Sequence, residues 1–245
     1  ALEDLKKAEE DLKEALEELK RQAEEELLLQ LENELKKAIE RQEAILKETK
    51  RLDKIAQDRG ALDRNQQREC REVSELQTRL ASFMDELKKK LEGENVEIYR
   101  YAIESVVDDM KESADSLEGL KTGNRTQEVQ QDSLRKLQML VEAFNLKRKQ
   151  SQQQGGGGQG QGGGKQPLVP DIVQLNLMKK IQENLFNKTQ EFERRYNKDR
   201  EDMTESEKAA LRRLSEEQGR LGTILKRFIE KFEKQKQERE KEEKE

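Results

Sequence analysis

Apolar residues recur at alternating spacings of three and four along almost all of this chain, and the pattern stops at a tract of nearly pure glutamine and glycine, residues 152–164. That period marks the apolar stripe of an amphipathic α-helix, because residues three and four apart share one face. Before the tract the stripe runs through Leu35, Ala38, Gln42, Ile45, Thr49, Leu52 and Ala56. Beyond it the same period runs through Leu175, Met178, Gln182, Leu185, Thr189, Phe192 and Tyr196. Glutamine and threonine hold corresponding places in both stripes, and Glu43 and Glu183 follow the glutamines, which reads as an internal duplication. The expected fold class is all-α: elongated antiparallel helical hairpins of coiled-coil type, built as an internally duplicated bundle.

Composition supports thin helical packing over a thick globular core. Charged residues make up 42% of the 245 residues, apolar ones 31% and aromatic ones 4%, too polar for a large core and too patterned for disorder. Lysine plus arginine (49) nearly cancel aspartate plus glutamate (54), leaving −5; without a broad basic surface, nucleic acid is not an expected partner. The single cysteine, Cys70, excludes an intramolecular disulfide framework and a thiolate zinc cage. It reads as a small core-edge residue, with an intermolecular bridge as the alternative in an oxidising compartment. No run approaches the ~20 apolar residues that span a bilayer, so no transmembrane segment is expected. The chain opens at Ala1 rather than methionine, which leaves room for a removed leader and hence for a bacterial periplasmic or envelope location.

Punctuation divides the chain into six helices: about 2–58, 62–92, 96–118, 124–150, 171–200 and 204–233. They group as a long N-terminal hairpin (1–93), a central hairpin (94–150), a Gln/Gly/Pro linker (151–169) and a C-terminal hairpin (170–245). Asn124 with Gln127, and Thr204 with Glu207, have the spacing of capping boxes. In the second helix the expected seam is Leu62, Gln66, Glu69, Val73, Leu76, Leu80, Phe83 and Leu87. Five of the nine aromatics (Phe186, Phe192, Tyr196, Phe228 and Phe232) follow the linker, which predicts that the C-terminal hairpin is the better-packed part.

Polar residues inside an apolar seam cost stability but fix register, because slippage leaves them against hydrocarbon. Gln42, Thr49, Gln66, Gln182, Thr189 and Gln218 are the candidates, with Thr49 expected near Gln66 and Thr189 near Gln218. A separate stripe, Leu5, Leu12, Leu16, Leu19 and Leu27, lies in the first thirty residues, where no later segment has the length to cover it. It is the candidate docking stripe for another protein's helix or for self-association.

Nothing in the sequence assembles a catalytic, cofactor or metal constellation. Histidine is absent, so serines have no imidazole partner and the Glu-x-x-His pairs of a di-iron bundle cannot form. Glu104, Asp108, Asp109 and Glu112 are the nearest approach to a carboxylate site, and their helical spacing reads as a solvated acidic face. The glycines have no strand-to-helix context for a phosphate loop.

Three phrases carry a resemblance: Gln182-Glu183-Asn184-Leu185-Phe186-Asn187-Lys188-Thr189 after a Pro-Leu-Val-Pro lead, residues 42–49, and Thr122-Gly123-Asn124-Arg125-Thr126-Gln127 before a Leu/Val helix. They resemble uncharacterised helical, coiled-coil proteins of planctomycete-type bacteria. The resemblance implies no active residues; it implies an association with energy-transducing systems of the bacterial envelope. Taken with the residues, it leads to the expectation of a non-enzymatic helical scaffold or adaptor mediating protein–protein contacts. The alternative is a chaperone-like or regulatory protein whose helices bind clients.

Overall fold

The computed structural model describes the backbone of residues 2–91, 96–153, 171–196 and 203–242, which form six α-helices. These are α1 (Leu2–Arg59), α2 (Arg64–Lys90), α3 (Glu97–Glu118), α4 (Asn124–Gln153), α5 (Asp171–Tyr196) and α6 (Glu205–Glu242). No strand occurs among the described residues. The expected linker, 151–169, lies outside them except for its first three residues, which belong to α4.

Helix ends follow from local chemistry. Asp63 caps α2 in a full capping box: its Oδ1 accepts from the Gln66 amide at 3.0 Å, and Gln66 Oε1 accepts from the Asp63 amide at 2.9 Å. Thr204 and Glu207 close the expected box on α6, through Glu207 N to Thr204 Oγ1 (3.3 Å) and Thr204 N to Glu207 Oε2 (2.8 Å). The box expected at Asn124 is replaced by a tertiary contact. Asn124 is already the first helical residue, and the Gln127 side chain donates to Asp53 Oδ2 (3.0 Å) and to the Thr122 carbonyl (2.9 Å). Gly60 ends α1 at φ +80°, a left-handed conformation that favours glycine. After α3 that conformation falls on Leu120 at φ 59°, not on Gly119, and the Leu120 side chain packs against the core.

The helices alternate in direction, as cross-helix hydrogen bonds and ion pairs show. Asp53 meets Thr122 and Lys90 meets Glu34, so α4 and α2 both run antiparallel to α1. Lys180 pairs with Glu142 and Lys188 with Asp132, setting α5 antiparallel to α4. Arg213 reaches Asp109 while Arg227 reaches Glu97, setting α6 antiparallel to α3. One apolar core runs through α1 to α4 and continues into α5 and α6 through Val173, Leu177, Leu221 and Ile224.

The central helix is α3. It packs on α2, α4 and α5, and its Tyr99, Ile103, Val106, Met110 and Leu117 are fully buried. Tyr99 lies against Phe144 with ring centroids 4.8 Å apart, and its hydroxyl has no hydrogen-bond partner among the described residues. Burial pushes this phenol far above its ordinary range.

Two expectations are corrected by this packing. The buried face of α2 is Gln66, Cys70, Val73, Gln77, Leu80, Met84 and Leu87, whereas Leu76 is half exposed. The face turns because α2 packs more extensively on α3 than on α1. The C-terminal hairpin is also not the better-packed part: Phe186 and Phe232 are exposed, while Tyr99, Tyr101 and Phe144 near the centre are buried. The α5–α6 pair packs on one side of a bundle already closed by four helices, so much of its apolar stripe meets solvent.

Candidate functional site

Three features stand out against this frame: a buried ionic cluster, a buried amide layer and a projecting arm. The cluster starts from α4, where Val129, Ser133, Lys136, Leu140 and Ala143 continue the three-four spacing and are all buried. Lysine therefore occupies a core position. Its Nζ donates to Ser105 Oγ (2.6 Å) and Asp109 Oδ2 (2.8 Å) of α3 and to Glu217 Oε1 (3.2 Å) of α6. Arg213, one turn before Glu217, adds contacts to Asp109 and Glu112 and lies 3.5 Å from Glu217 Oε1. Tyr101 completes the joint by donating to the Glu217 carbonyl at 3.1 Å. Its phenol is pushed up to about 12, first by burial and then by the Glu217 charge.

The charges in this cluster are coupled. Burial lifts the Asp109 carboxyl above the usual range against the pull of Lys136 and Arg213. Burial also acts to raise Glu217, but Lys136, Lys188 and Arg213 outweigh it and hold that carboxyl below its ordinary value. Lys136 is penalised by burial, yet Asp109 and Glu217 hold its ammonium above the ordinary lysine range. Ion pairs taken out of water recover their desolvation cost only where partners and hydrogen bonds are this complete. The cluster clamps α3, α4 and α6 together.

The sequence reading of Glu104, Asp108, Asp109 and Glu112 as a solvated acidic face is corrected here. Glu104 and Asp108 are exposed, but Asp109 is buried and Glu112 half-buried, because α6 lies along α3 and presents Arg213 to both. Beside the cluster an open cleft of about 660 Å³ is lined by Arg125, Glu128, Asp132, Lys188, Glu191 and Arg213, among others. Its charges are mixed in sign, which selects for neither anion nor cation. Among the described residues, no group of three or more Cys, Asp or Glu is placed to hold a metal ion.

The amide layer crosses α1, α2 and α4. Gln77 Nε2 donates to Gln42 Oε1 (2.7 Å), and Gln130 Nε2 donates to Thr49 Oγ1 (3.0 Å) and Gln77 Oε1 (3.2 Å). All four residues are fully buried. Of the candidate registry residues, Gln42 and Thr49 thus meet in one network, joined by Gln77 and Gln130, which the sequence reading did not single out. Thr49 meets Gln130 where Gln66 was expected, since Gln66 serves the α2 cap. In the C-terminal pair Gln182 and Gln218 bond each other at 3.3–3.4 Å on an exposed edge. Thr189 bonds back to the Leu185 carbonyl of its own helix.

The arm is the N-terminal part of α1. At 1.5 Å per residue α1 is about 87 Å long and α2 about 40 Å. The end of α2 comes level with Glu34, which Lys90 contacts at 2.8 Å, and the first buried side chain among those described along α1 is Leu28. Of the candidate docking stripe, Leu12, Leu16 and Leu19 are 71%, 53% and 63% exposed. Leu27 packs partly against the core, and the Leu5 side chain lies outside the described ones.

Cys70 is fully buried in α2, with Sγ 3.3 Å from the Leu117 carbonyl, and burial pushes its thiol up. No described helix is long and apolar enough to cross a membrane. No family model, no curated protein and no solved structure matches this chain.

Proposed function

We propose that this protein is a non-enzymatic helical scaffold that mediates protein–protein contacts through the arm of α1, with the bundle as its rigid base. The observation that carries this reading is the exposed leucine stripe, Leu12, Leu16 and Leu19, on a helix continuous with the core. An apolar stripe on a helix is stabilised when another helix covers it. The bundle beneath buries its own apolar core, so its geometry does not depend on what the arm binds. A resemblance to helical envelope proteins points to a multiprotein assembly as the setting.

The test is the size of the native assembly. Full-length chain and chain lacking residues 2–25 are expressed in the native cells and separated by native gel after mild cross-linking. The reading expects the full chain in a high-mass complex and the shortened chain outside it, with unchanged bundle melting. Equal migration of the two chains in that complex would contradict it.

A further inference from the structure

We infer that the partner of the arm is a second copy of this chain, paired in parallel through Leu12, Leu19 and the adjoining Leu16; this rests on the scaffold reading and names the occupant of its stripe. Charge favours the parallel pair. Leu5, Leu12 and Leu19 are seven residues apart, each is preceded by an acid (Asp4, Asp11, Glu18) and each is followed by a lysine (Lys6, Lys13, Lys20). At about 100° per residue, the acids flank the leucine ridge on one side and the lysines on the other. In a parallel two-fold pair the acidic flank of one copy faces the lysine flank of the other. An antiparallel two-fold pair sets acid against acid and lysine against lysine.

The position of the ridge on α1 favours it too. The acid-leucine-lysine triplet repeats at seven-residue intervals through Leu5, Leu12 and Leu19 and then leaves that register: Glu34-Leu35-Lys36 is sixteen residues beyond Leu19, and Leu35 is buried in the bundle. Leu28 lies about half a turn round the helix from Leu19, nine residues at 100° each. The ridge therefore points away from the side on which α1 meets its own bundle. Two arms can join with both bundles on the outside, and a parallel pair places the bundles side by side at the same end. The seven-residue repeat ends and the buried face turns away from the ridge at the edge of the bundle.

Full-length chain is tested by sedimentation across a concentration series, together with a Leu19→Cys variant under mild oxidation and a Lys6→Glu/Lys13→Glu/Lys20→Glu variant. We expect the mass to rise from 28.7 kDa toward twice that value. The introduced thiol should link two chains, since position 19, at one end of the ridge, faces its own copy only in parallel register; Cys70 is buried and does not compete. The triple variant should dimerise about tenfold or more weakly. A monomer at every concentration would overturn the inference, as would a dimer that the thiol at position 19 does not link. If the chain is a monomer yet loses its native complex on removal of residues 2–25, the second-copy inference alone fails. If that removal leaves the native complex unchanged, the scaffold reading fails with it.

Discussion

Replacing Lys136 with methionine lowers the unfolding free energy by about 3–5 kcal/mol, because it leaves buried acids without their shared cation. Asp109 retains Arg213, but the 2.8 Å contact to Lys136 is lost, and Glu217 loses its 3.2 Å contact. Replacing Asp109 by leucine in the same chain recovers part of the loss, since that buried acid then needs no cation, while Glu217 keeps Arg213 at 3.5 Å. Urea unfolding of the two variants at neutral pH checks this; a single variant within about 1 kcal/mol of wild type would mean that the cluster is solvated.

The pH dependence has a definite sign. Lys136 is held above its ordinary 10.5, so its contribution is complete below that value and is lost as pH rises through the folded value. Glu217 lies below 4.5, so its contribution is present above 4.5 and disappears as pH falls through the folded value. Asp109 lies above 3.8, so its ionisation costs stability as pH rises through its folded value. In the Lys136→Met chain that cost is no longer offset by the ammonium, and the destabilisation should shrink on acidification as Asp109 takes up a proton.

Gln77→Ala is the second large effect, a loss of about 2–5 kcal/mol from two disrupted amides and a core void. Gln77 is the hinge of the layer: it donates to Gln42 and accepts from Gln130, and the solvent-free site offers neither a ready substitute. Changing Gln42, Gln77 and Gln130 together to leucine should reverse the sign and raise the melting temperature, because no buried amide is then left unpaired. The apolar variant should lose register definition, visible as broadened amide resonances, if the layer sets the alignment of α1, α2 and α4. Sharp spectra from a more stable triple variant would show that packing alone fixes the register.

Much of the helical frame was legible because the three-four period is strong wherever one face alone is buried. The run from Leu35 to Leu52 in α1 is buried at every predicted seam position. Legibility failed where a helix meets more than one neighbour. In α2 the period through Cys70, Gln77 and Met84 is as regular as the one through Glu69, Leu76 and Phe83, and only the position of α3 decides between them. Hydrophobicity favoured the wrong alternative because Gln77 is polar.

The ionic cluster was missed for a related reason. In a chain so rich in lysine and glutamate, a charged residue on the stripe looks like noise. Lys136 nevertheless continues the spacing of Val129, Ser133, Leu140 and Ala143, and Ser105 and Asp109 lie on the buried face of α3. A polar residue keeping the apolar period was the available signal. Which acid it would meet depended on α6 folding back along α3, and pairing across 81 residues leaves no local trace. The arm stripe, by contrast, was readable by subtraction, because nothing later in the chain had the length to cover it.

Hydrogen exchange along the full chain, followed as a function of protein concentration, tests the account most directly. Helices α2, α3 and α4, with α1 from Leu28 onward, should be protected as one unit at every concentration. Residues 6–25 should exchange freely when dilute and gain protection as concentration rises. Protection of residues 6–25 equal to that of the bundle in dilute solution, or none at the highest concentration, would contradict an arm that is bare in the single chain and covered by a second copy.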